Sequence, residues 1–397
     1  MQEIVDQVNG TGRASQIART LLLPYLNHAA TMYESGYATA PDIDAAMRFG
    51  CGYPIGPLAL VDALGAQSVA SGLEALYAAT GDELHQPASV LTAHAADGNT
   101  FAAAGGDAGQ TEPAFTHTIS RVGVVGTGTM ASGIVEVFAK AGYDVTFVGR
   151  GEDKVAGVIA AITKSLDKAI SRGKLDEDGK SSVLERLTGS TEREALADAD
   201  IIVEAIAEDL AIKLELFGDL DRIAKPCAIL ATTTSSLSIN TCAAATKRPQ
   251  DVIGMHFFNP AAIMKLVEVV TADETSVEVD ETVRALCLAT GKHPVSCGDR
   301  AGFIVNALLF PYLNDAIKLH EADGDSLEDI DEAMKATKLP MGPFALLDVV
   351  GNDVSLAIQR SLVSTFGHAG WQPAPSLEHV VAAGKLGRKT GQGFHTY

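Results

Sequence analysis

Short apolar runs alternate with longer amphipathic segments through the middle of the chain. The pattern predicts buried strands at residues 121–125, 144–148, 200–205, 227–232 and 252–258, separated by helices at residues 130–141, 155–171 and 210–224. Strands that alternate with helices at this spacing are typical of a doubly wound parallel sheet. We therefore predict an α/β domain in the centre of the chain.

The two ends of the chain repeat one another. Pro24-Tyr25-Leu26-Asn27 matches Pro311-Tyr312-Leu313-Asn314 at an offset of 287 residues, and Pro54-Ile55-Gly56-Pro57 matches Pro340-Met341-Gly342-Pro343 at an offset of 286. Two constant offsets, sustained over about seventy residues, indicate an internal duplication. We predict two copies of an all-helical unit of about a hundred residues, one at each end.

These patterns predict four segments. Residues 1–100 form a degenerate helical domain, residues 101–118 a linker, residues 119–298 the α/β domain and residues 299–397 the second helical domain. The linker is predicted because the stretch is rich in alanine, glycine and small polar residues.

Composition limits the partners. The chain is 47% hydrophobic and 20% charged, an ordinary globular mixture, and its net charge of −20 should repel nucleic acid and anionic membranes. An anionic substrate would therefore need a local basic patch. No apolar run is long enough to span a bilayer and the first residues do not resemble a leader, so we expect a cytoplasmic protein, although Met1 need not be the native start.

The cysteines are odd in number and scattered. We interpret them as reduced, buried thiols that form neither a disulfide framework nor a metal site: Cys51, Cys227, Cys242, Cys287 and Cys297.

A glycine-rich turn follows the first predicted strand. Gly126-Thr127-Gly128-Thr129-Met130-Ala131 places two glycines between a strand and a helix. Glycines at this turn let the backbone approach a pyrophosphate, and the helix N-terminus offers free amides to it. We predict a Rossmann-type dinucleotide site; the alternative is a glycine-rich turn without a ligand.

The second predicted strand lacks the expected acid. A carboxylate normally follows this strand to bind the adenine ribose, but Gly149-Arg150 stands there. Because an arginine suits a 2′-phosphate, we predict that NADP is accepted, with NAD as the other candidate cofactor. The alternative is an exposed loop arginine beside a weaker NAD site.

A histidine lies in the strand predicted at residues 252–258, and Glu268 follows twelve residues later. On residue type alone, a satisfied core histidine and a solvated edge glutamate are the commoner interpretations. The motifs around these two residues decide between a structural and a catalytic role.

Four motifs resemble the 3-hydroxyacyl-CoA dehydrogenases over residues 119–397: Thr234-Ser235-Ser236-Leu237, His256-Phe257-Phe258-Asn259-Pro260, Met264-Lys265-Leu266-Val267-Glu268-Val269 and Gly302-Phe303-Ile304-Val305-Asn306. The resemblance implies an oxidoreductase that interconverts (S)-3-hydroxyacyl-CoA and 3-ketoacyl-CoA, in fatty-acid oxidation or hydroxybutyryl-CoA metabolism. By this resemblance His256 is the base, Glu268 orients it, and Ser235 and Asn306 hydrogen-bond the reacting oxygen and the substrate.

The resemblance also assigns binding residues. It implies cofactor contacts from Gly126, Gly128, Thr129, Met130, Glu208, Lys213, Asn259 and Lys389, in addition to Arg150. For the CoA phosphates it implies Ser165, and Arg172 stands where the family has a lysine. The alternative for Arg172 is a solvated helix end.

The N-terminal copy departs from the family pattern. Arg19 replaces the equivalent of Asn306, Ser15-Gln16 replaces Gly302-Phe303, and the closing Lys-Thr-Gly is missing. We therefore expect a non-catalytic copy that packs on residues 300–397 as an internal pseudo-dimer, with a homodimer as the alternative. Two other functions stay open: a related hydroxy-acid or sugar-acid dehydrogenase, and a non-catalytic crystallin-like relative.

Overall fold

In this computed structural model, which describes residues 1–104 and 113–397, the chain forms two compact units. Residues 1–108 and 301–397 cluster as a helical unit, and residues 109–300 form an α/β unit. The two ends of the chain therefore belong to one unit, as the repeat predicts.

Within residues 1–104, the N-terminal copy of the helical unit contains seven α-helices. They are α1 (Gln2–Asn9), α2 (Arg13–Glu34), α3 (Ala40–Cys51), α4 (Pro57–Leu64), α5 (Ala66–Thr80), α6 (Ser89–Asp97) and α7 (Phe101–Ala104). Thr39 caps α3 with its side chain, and glycines with positive φ end α3, α5 and α6.

The α/β unit contains one eight-stranded sheet in the order β3-β2-β1-β4-β5-β6-β7-β8. The strands are β1 (Arg121–Val125), β2 (Asp144–Val148), β3 (Leu187–Ser190), β4 (Ile201–Glu204), β5 (Ile229–Thr232), β6 (Val252–Phe257), β7 (Leu266–Thr271) and β8 (His293–Gly298). Neighbouring strands are parallel except β6 and β7, which are antiparallel. The order from β3 to β6 is that of a dinucleotide-binding sheet, and its crossovers come from helices.

Six helices accompany this sheet. They are α8 (Thr129–Lys140), α9 (Glu152–Ser171), α10 (Glu177–Glu185), α11 (Leu210–Ile223), α12 (Ile239–Ala244) and α13 (Val277–Ala289). Apolar residues of β1, α8 and β2, such as Val124, Phe138 and Phe147, are buried in one core. The predicted Rossmann-type class is confirmed, with one correction: β7 and β8 run opposite to the other strands, so the sheet is mixed.

The C-terminal copy of the helical unit contains α14 (Val305–Asp323), α15 (Leu327–Ala336), α16 (Pro343–Val350), α17 (Asn352–Phe366) and α18 (Pro375–Ala382). Equivalent side chains form equivalent hydrogen bonds in the two copies. The amide of Asn27 bonds the main chain of residues 84–88, and Asn314 bonds residues 372–374 in the same way. The carboxylates of Asp44 and Asp331 each accept two backbone N–H groups at the start of the following helix.

The two copies pack together through equivalent surfaces. Helix α2 contacts α14 and α15, and α14 contacts α3. Tyr25 and Tyr312, which are equivalent residues, contact each other with ring centroids 6.1 Å apart. Because a residue meets its own equivalent only near a twofold axis, this contact indicates an isologous, dimer-like arrangement within one chain.

The linker prediction needs correction at both ends. Phe101 is buried and begins α7, because the carboxylate of Asp62 accepts the backbone N–H groups of Phe101 and Ala102. At the other end, Thr116 binds α13 by donating its hydroxyl to the carbonyl of Glu278. The rest of the predicted linker, residues 105–112, lies outside the described residues.

Two further expectations are tested. None of the five cysteines forms a disulfide; Cys242, Cys287 and Cys297 are buried as expected, but Cys51 is only half-buried and Cys227 is exposed. No helix in the described ranges is long and apolar enough to cross a membrane.

Candidate active site

The glycine-rich turn between β1 and α8 has the geometry of a phosphate-binding loop. Gly126 has a φ of +135°, and a Cβ atom there would lie 2.3 Å from the carbonyl oxygen of Ala205, so only glycine fits. Gly128 precedes the first turn of α8, and a Cβ at Gly128 would meet nothing within 4 Å. The amides at the helix start therefore face open space, which fits a pyrophosphate. Thr129 lines this space, and Met130 packs against the core of the sheet.

The end of β2 has no room for the usual acidic side chain. A Cβ atom at Gly149 would lie 2.5 Å from Cγ2 of Thr127. Arg150 follows and is exposed, and no ion pair within the described residues uses it. The guanidinium is thus available to an anionic ligand at the adenosine end of the site.

His256 and Glu268 form a buried cross-strand pair. They lie directly opposite each other on β6 and β7, with Nδ1 of His256 2.6 Å from Oε2 of Glu268. The histidine is 7% exposed and the glutamate is fully buried. Because an ionised carboxylate only accepts hydrogen bonds, Nδ1–H donates to Glu268 and Nε2 keeps its lone pair. A neutral histidine in this tautomer can accept a proton at Nε2.

Hydrogen bonds to the carboxylate of Glu208 organise the turn after β5. Oε1 of Glu208 accepts hydrogen bonds from the hydroxyl of Thr234 and from the backbone N–H of Ser235, at 2.5 and 3.0 Å. Burial raises the pKa of the Glu208 carboxyl, but the hydrogen bond from Thr234 and the charge of Lys213 together lower it by more. The pKa therefore lies below its usual value. Ser235 is therefore held by an ionised glutamate.

Lys213 lies beneath this turn and not on the surface. It is 1% exposed, and its ammonium contacts Oε1 of Glu204 at 2.6 Å and Oε2 of Glu208 at 3.4 Å. Glu204, itself fully buried, also accepts the hydroxyl of Thr232. In this arrangement Lys213 supports Glu208 from inside the unit, and a direct cofactor contact by either residue stays a prediction.

The segment between β6 and β7 is fixed by a buried lysine. The ammonium of Lys292, which is 8% exposed, donates to the carbonyl oxygens of Ala261 and Met264 at 2.5 and 2.7 Å. Burial lowers the pKa of Lys292. Asn259 lies in the same segment and is exposed. Lys292 therefore sets the course of the chain that leaves His256.

Ser165 and Arg172 both belong to the end of α9. The hydroxyl of Ser165 donates to Oε1 of the buried Glu136 on α8, at 3.0 Å. Arg172 is the exposed C-cap residue of the helix, seven residues further on. Their roles toward CoA phosphates stay predictions.

The two remaining predicted residues belong to the helical unit. Asn306 is the second residue of α14 and is 8% exposed. The ammonium of Lys389 binds both carboxylate oxygens of Asp353, at 2.6 and 2.8 Å.

Three buried charged residues of the α/β unit were not predicted from the sequence: Glu136, Glu204 and Lys292. Glu136 and Glu204 interrupt or border apolar runs, as in Ile201-Ile202-Val203-Glu204, whereas Lys292 lies between Gly291 and His293 and has no such signal. Since charged residues are seldom fully buried unless paired, a charge inside such a run was the available signal.

A dinucleotide-type loop, in one sheet with a carboxylate-paired histidine, fits the nicotinamide-dependent dehydrogenase class of oxidoreductase. Comparison with known proteins gives the family. The model of the 3-hydroxyacyl-CoA dehydrogenase NAD binding domain matches residues 121–300, and that of the family's C-terminal domain matches residues 17–108 and 302–397. The chain belongs to the 3-hydroxyacyl-CoA dehydrogenase family.

Relatives share about two fifths of the residues. A 3-hydroxybutyryl-CoA dehydrogenase of Clostridioides difficile is 44% identical over 278 residues, which cover 70% of this chain and 99% of that protein. The mitochondrial hydroxyacyl-coenzyme A dehydrogenase of Rattus norvegicus is 43% identical over 70% of this chain and 91% of its own length. The solved (S)-3-hydroxybutyryl-CoA dehydrogenase of Ralstonia eutropha has a TM-score of 0.70 at 40% identity, covering 70% of this chain and 99% of that one.

Proposed function

We propose that the chain interconverts (S)-3-hydroxyacyl-CoA and 3-ketoacyl-CoA. The observation that carries the proposal is the buried His256–Glu268 pair at 2.6 Å in a dinucleotide-type sheet. The names of the relatives, which are 3-hydroxybutyryl-CoA and hydroxyacyl-CoA dehydrogenases, support the substrate class.

In this mechanism, His256 is the base. The glycine-rich loop with Gly126 and Gly128 would hold a nicotinamide cofactor, which would supply the hydride chemistry. As the hydride leaves the substrate carbon, Nε2 of His256 takes the hydroxyl proton, and the carbonyl double bond forms. Glu268 keeps the ring in the productive tautomer and stabilises the imidazolium that results. In the reverse direction, the same nitrogen returns the proton to the developing alkoxide.

Ser235 and Asn306 are proposed to donate hydrogen bonds to the substrate and its reacting oxygen. The network around Glu208 supports this role for Ser235, because it fixes the backbone of the serine while its hydroxyl stays available. Fixed donors at a developing oxyanion contribute a large part of such catalysis.

Reduction of acetoacetyl-CoA tests the proposal. We expect His256→Ala to lower kcat by about a thousandfold and Glu268→Gln by about a hundredfold. His379→Ala, an exposed histidine of α18, serves as the matched control and should keep wild-type activity. The proposal fails if His256→Ala keeps more than about a tenth of the activity, or if the wild type reduces small oxo acids but no acyl-CoA.

We further infer that NADP(H) is accepted as cofactor and that Arg150 weakly favours it. The support is the exposed Arg150 and the crowded Gly149, which leaves no place for a ribose-binding acid. Arg150→Ala should lower kcat/KM for NADPH about tenfold and change the value for NADH less than twofold. A wild type with a clear preference for NADH would contradict this inference.

The helical unit is proposed to be an internal pseudo-dimer. The contact between the equivalent residues Tyr25 and Tyr312 supports it, because it places the two copies around one axis. Light scattering coupled to size exclusion should give a monomer of 41.3 kDa. A stable homodimer, or a chain that stays soluble and fully active after deletion of residues 1–110, would contradict the proposal.

A further inference from the structure

Glu204 is a buried carboxylate that the proposed mechanism does not use. It is the last residue of β4, at the carboxyl edge of the sheet, and it is fully buried. Its Oε1 atom accepts hydrogen bonds from the ammonium of Lys213, at 2.6 Å, and from the backbone N–H of Ile206, at 2.8 Å. Its Oε2 atom accepts the hydroxyl of Thr232, on the neighbouring strand β5, at 2.6 Å. Glu204 therefore joins the ends of two strands to α11, and it is too deeply buried to touch a ligand itself.

One path of contacts leads from Glu204 through Lys213 to the turn after β5. The ammonium of Lys213, which is also buried, contacts Oε2 of Glu208 at 3.4 Å. The other oxygen of Glu208 accepts the backbone N–H groups of Ser235 and Ser236, at 3.0 and 3.1 Å. The ammonium thus lies between two carboxylates. Because Glu204 is the closer of the two, it sets the position that the ammonium takes beneath Glu208.

A second path leads from Glu204 through Thr232. The Thr232 hydroxyl donates its only proton to Glu204, so its oxygen is left to accept, and it accepts the backbone N–H of Thr234 at 3.2 Å. The hydroxyl of Thr234 in turn donates to Glu208, at 2.5 Å. Both paths therefore start at one carboxylate, and they end at Ser235 and at the residue before it.

Stability alone does not account for a buried ion pair at this place. Taking two charges out of water costs free energy that their attraction only partly returns, so an apolar pair of the same size is often at least as stable. A buried ion pair does fix direction, because its hydrogen bonds form at one geometry only. A hydrogen-bond donor to a developing oxyanion is effective when it is held in place before the reaction starts. The arrangement beneath the turn suits this requirement.

We propose that Glu204 is a positioning residue for the reaction and that it acts through Ser235. The inference rests on the proposed function, in which the Ser235 hydroxyl donates to the substrate, and deepens it. With the Glu204 carboxylate in place, both paths hold the turn before substrate binds. Without it, Lys213 keeps Glu208 as its only charged partner among the described residues, so the ammonium shifts toward that carboxylate and away from β4.

A double-mutant cycle in the reduction of acetoacetyl-CoA tests this role. Ser235→Ala should lower kcat about a hundredfold, because a donor to the reacting oxygen is lost. Glu204→Gln, which keeps the size of the side chain, should lower kcat about twentyfold and change the KM of substrate and cofactor less than about threefold. If Glu204 acts through Ser235, the double variant should be about a hundredfold slower than the wild type, against roughly 2,000-fold for independent effects.

Asp221→Asn is the matched control. Asp221 lies on the same helix, α11, and forms a half-buried ion pair with Arg248 at 3.0 Å. The variant removes an ion pair from α11 without touching the turn, so kcat should stay within about twofold of the wild-type value. A loss of kcat as large as that of Glu204→Gln would overturn the inference, because any weakening of α11 would then have the same effect.

Thr232→Val covers the case in which Glu204→Gln fails to fold. Valine has nearly the volume of threonine but no hydroxyl, so this variant interrupts the second path only. We expect kcat to fall about fivefold in the wild-type background and to stay unchanged in the Ser235→Ala background. Equal losses of kcat in the two backgrounds would overturn the inference, because Ser235 would then not mediate the effect.

The remaining outcomes separate the inference from the proposed function. Wild-type kcat in Glu204→Gln, or a double variant about 2,000-fold slower than the wild type, would overturn the inference and leave the proposed function intact. Wild-type kcat in Ser235→Ala would also overturn it, because the residue through which Glu204 acts would have no role in the reaction. A wild type that reduces no acyl-CoA would refute the proposed function, and the inference with it.

Discussion

Arg19 and Asn306 occupy equivalent positions in the two helical copies, but their side chains serve different purposes. The guanidinium of Arg19 donates to the carbonyl oxygens of Val8 and Gly10, at 2.7 and 2.6 Å, and so closes the end of α1. Asn306 lies at the start of α14 and is proposed to bind substrate. On that proposal, the same position serves substrate binding in one copy and stability in the other.

Other equivalent positions kept their roles. The carboxylate of Asp62 accepts the N–H groups of Phe101 and Ala102, and Asp348 accepts those of Phe394 and His395. Each acid therefore holds the last segment of its own helical copy against the rest of that copy. The comparison separates positions needed to fold a copy from positions needed only for catalysis.

The largest expected difference between the copies is kinetic. Asn306→Ala should lower kcat about a hundredfold, because a donor to the reacting oxygen is lost. Arg19→Ala should leave kcat within about twofold and lower the free energy of unfolding by about 2 kcal/mol, because two carbonyl groups lose their partner. Steady-state kinetics and urea unfolding measure both. A similar loss of kcat in both variants would contradict the assignment of different roles to Asn306 and Arg19.

The next difference concerns Asp348 and Asp62, the two acids that hold the last segments of the copies. Asp348 also accepts hydrogen bonds from the Asn352 amide and the Tyr397 hydroxyl, at 3.0 and 3.2 Å, whereas the described bonds to Asp62 are the two from the backbone. We expect Asp348→Ala to cost about 3 kcal/mol of unfolding free energy and Asp62→Ala about 1.5 kcal/mol. Urea titrations give both values. Equal costs would mean that the side-chain bonds add nothing to Asp348.

A smaller difference should appear in the dependence of stability on pH. His395 lies 3.0 Å from Asp331, whereas among the described residues no histidine bonds the equivalent acid, Asp44. Burial raises the pKa of Asp44 to about 6, against the lowering effect of its backbone hydrogen bonds. Between pH 4 and 6 the folded chain therefore keeps a proton that the unfolded chain has released, so stability falls as pH rises. Asp44→Asn removes this titration. Between pH 4.5 and 7, the free energy of unfolding of the variant should therefore fall by about 1 kcal/mol less than that of the wild type, after allowance for the partial exposure of Asp44.

Unfolding titrations at several pH values measure this slope. The amide at position 44 can also disturb the backbone bonds, but that cost is the same at each pH and leaves the slope unaffected. Parallel stability curves for the variant and the wild type would contradict the assignment to Asp44.

The smallest expected effect lies at the contact between the copies. The hydroxyl groups of Tyr25 and Tyr312 are buried without a hydrogen-bond partner in the described structure, and burial raises the pKa of both phenols. Tyr25→Phe and Tyr312→Phe should therefore change the unfolding free energy by less than about 1 kcal/mol, in the stabilising direction. The fluorescence of the single tryptophan, Trp371, reports unfolding here, because its ring contacts His28 of the other copy. A clear destabilisation by one variant alone would show that the two equivalent tyrosines have different environments in the two copies.

Much of the fold follows from local patterns. β1, β2 and the glycine-rich turn were predicted because apolar runs and turn glycines determine them locally. β3 was missed because Leu187–Ser190 has only one apolar residue and pairs at the edge of the sheet beside β2. A strand defined by its neighbour leaves little signal in its own sequence.

The site was predictable only where motifs carried it. From residue type, Glu268 was more typical of a solvated edge, yet it is fully buried because β8 covers β7 on the far side. The partners of Glu136 and Lys292, by contrast, come from distant parts of the chain and are defined only by the packed structure. Predicted contacts of Asn306 and Lys389 with cofactor or substrate stay predictions.

The contact of Tyr25 with Tyr312 has a consequence for how the protein can change over time. In an assembly of two identical chains, every substitution at the axis occurs twice, so both sides must tolerate it together. With both halves encoded in one gene, each side can vary separately, and a change on one side can be compensated on the other. The covalent link also makes the association independent of protein concentration, so dilution does not separate the halves.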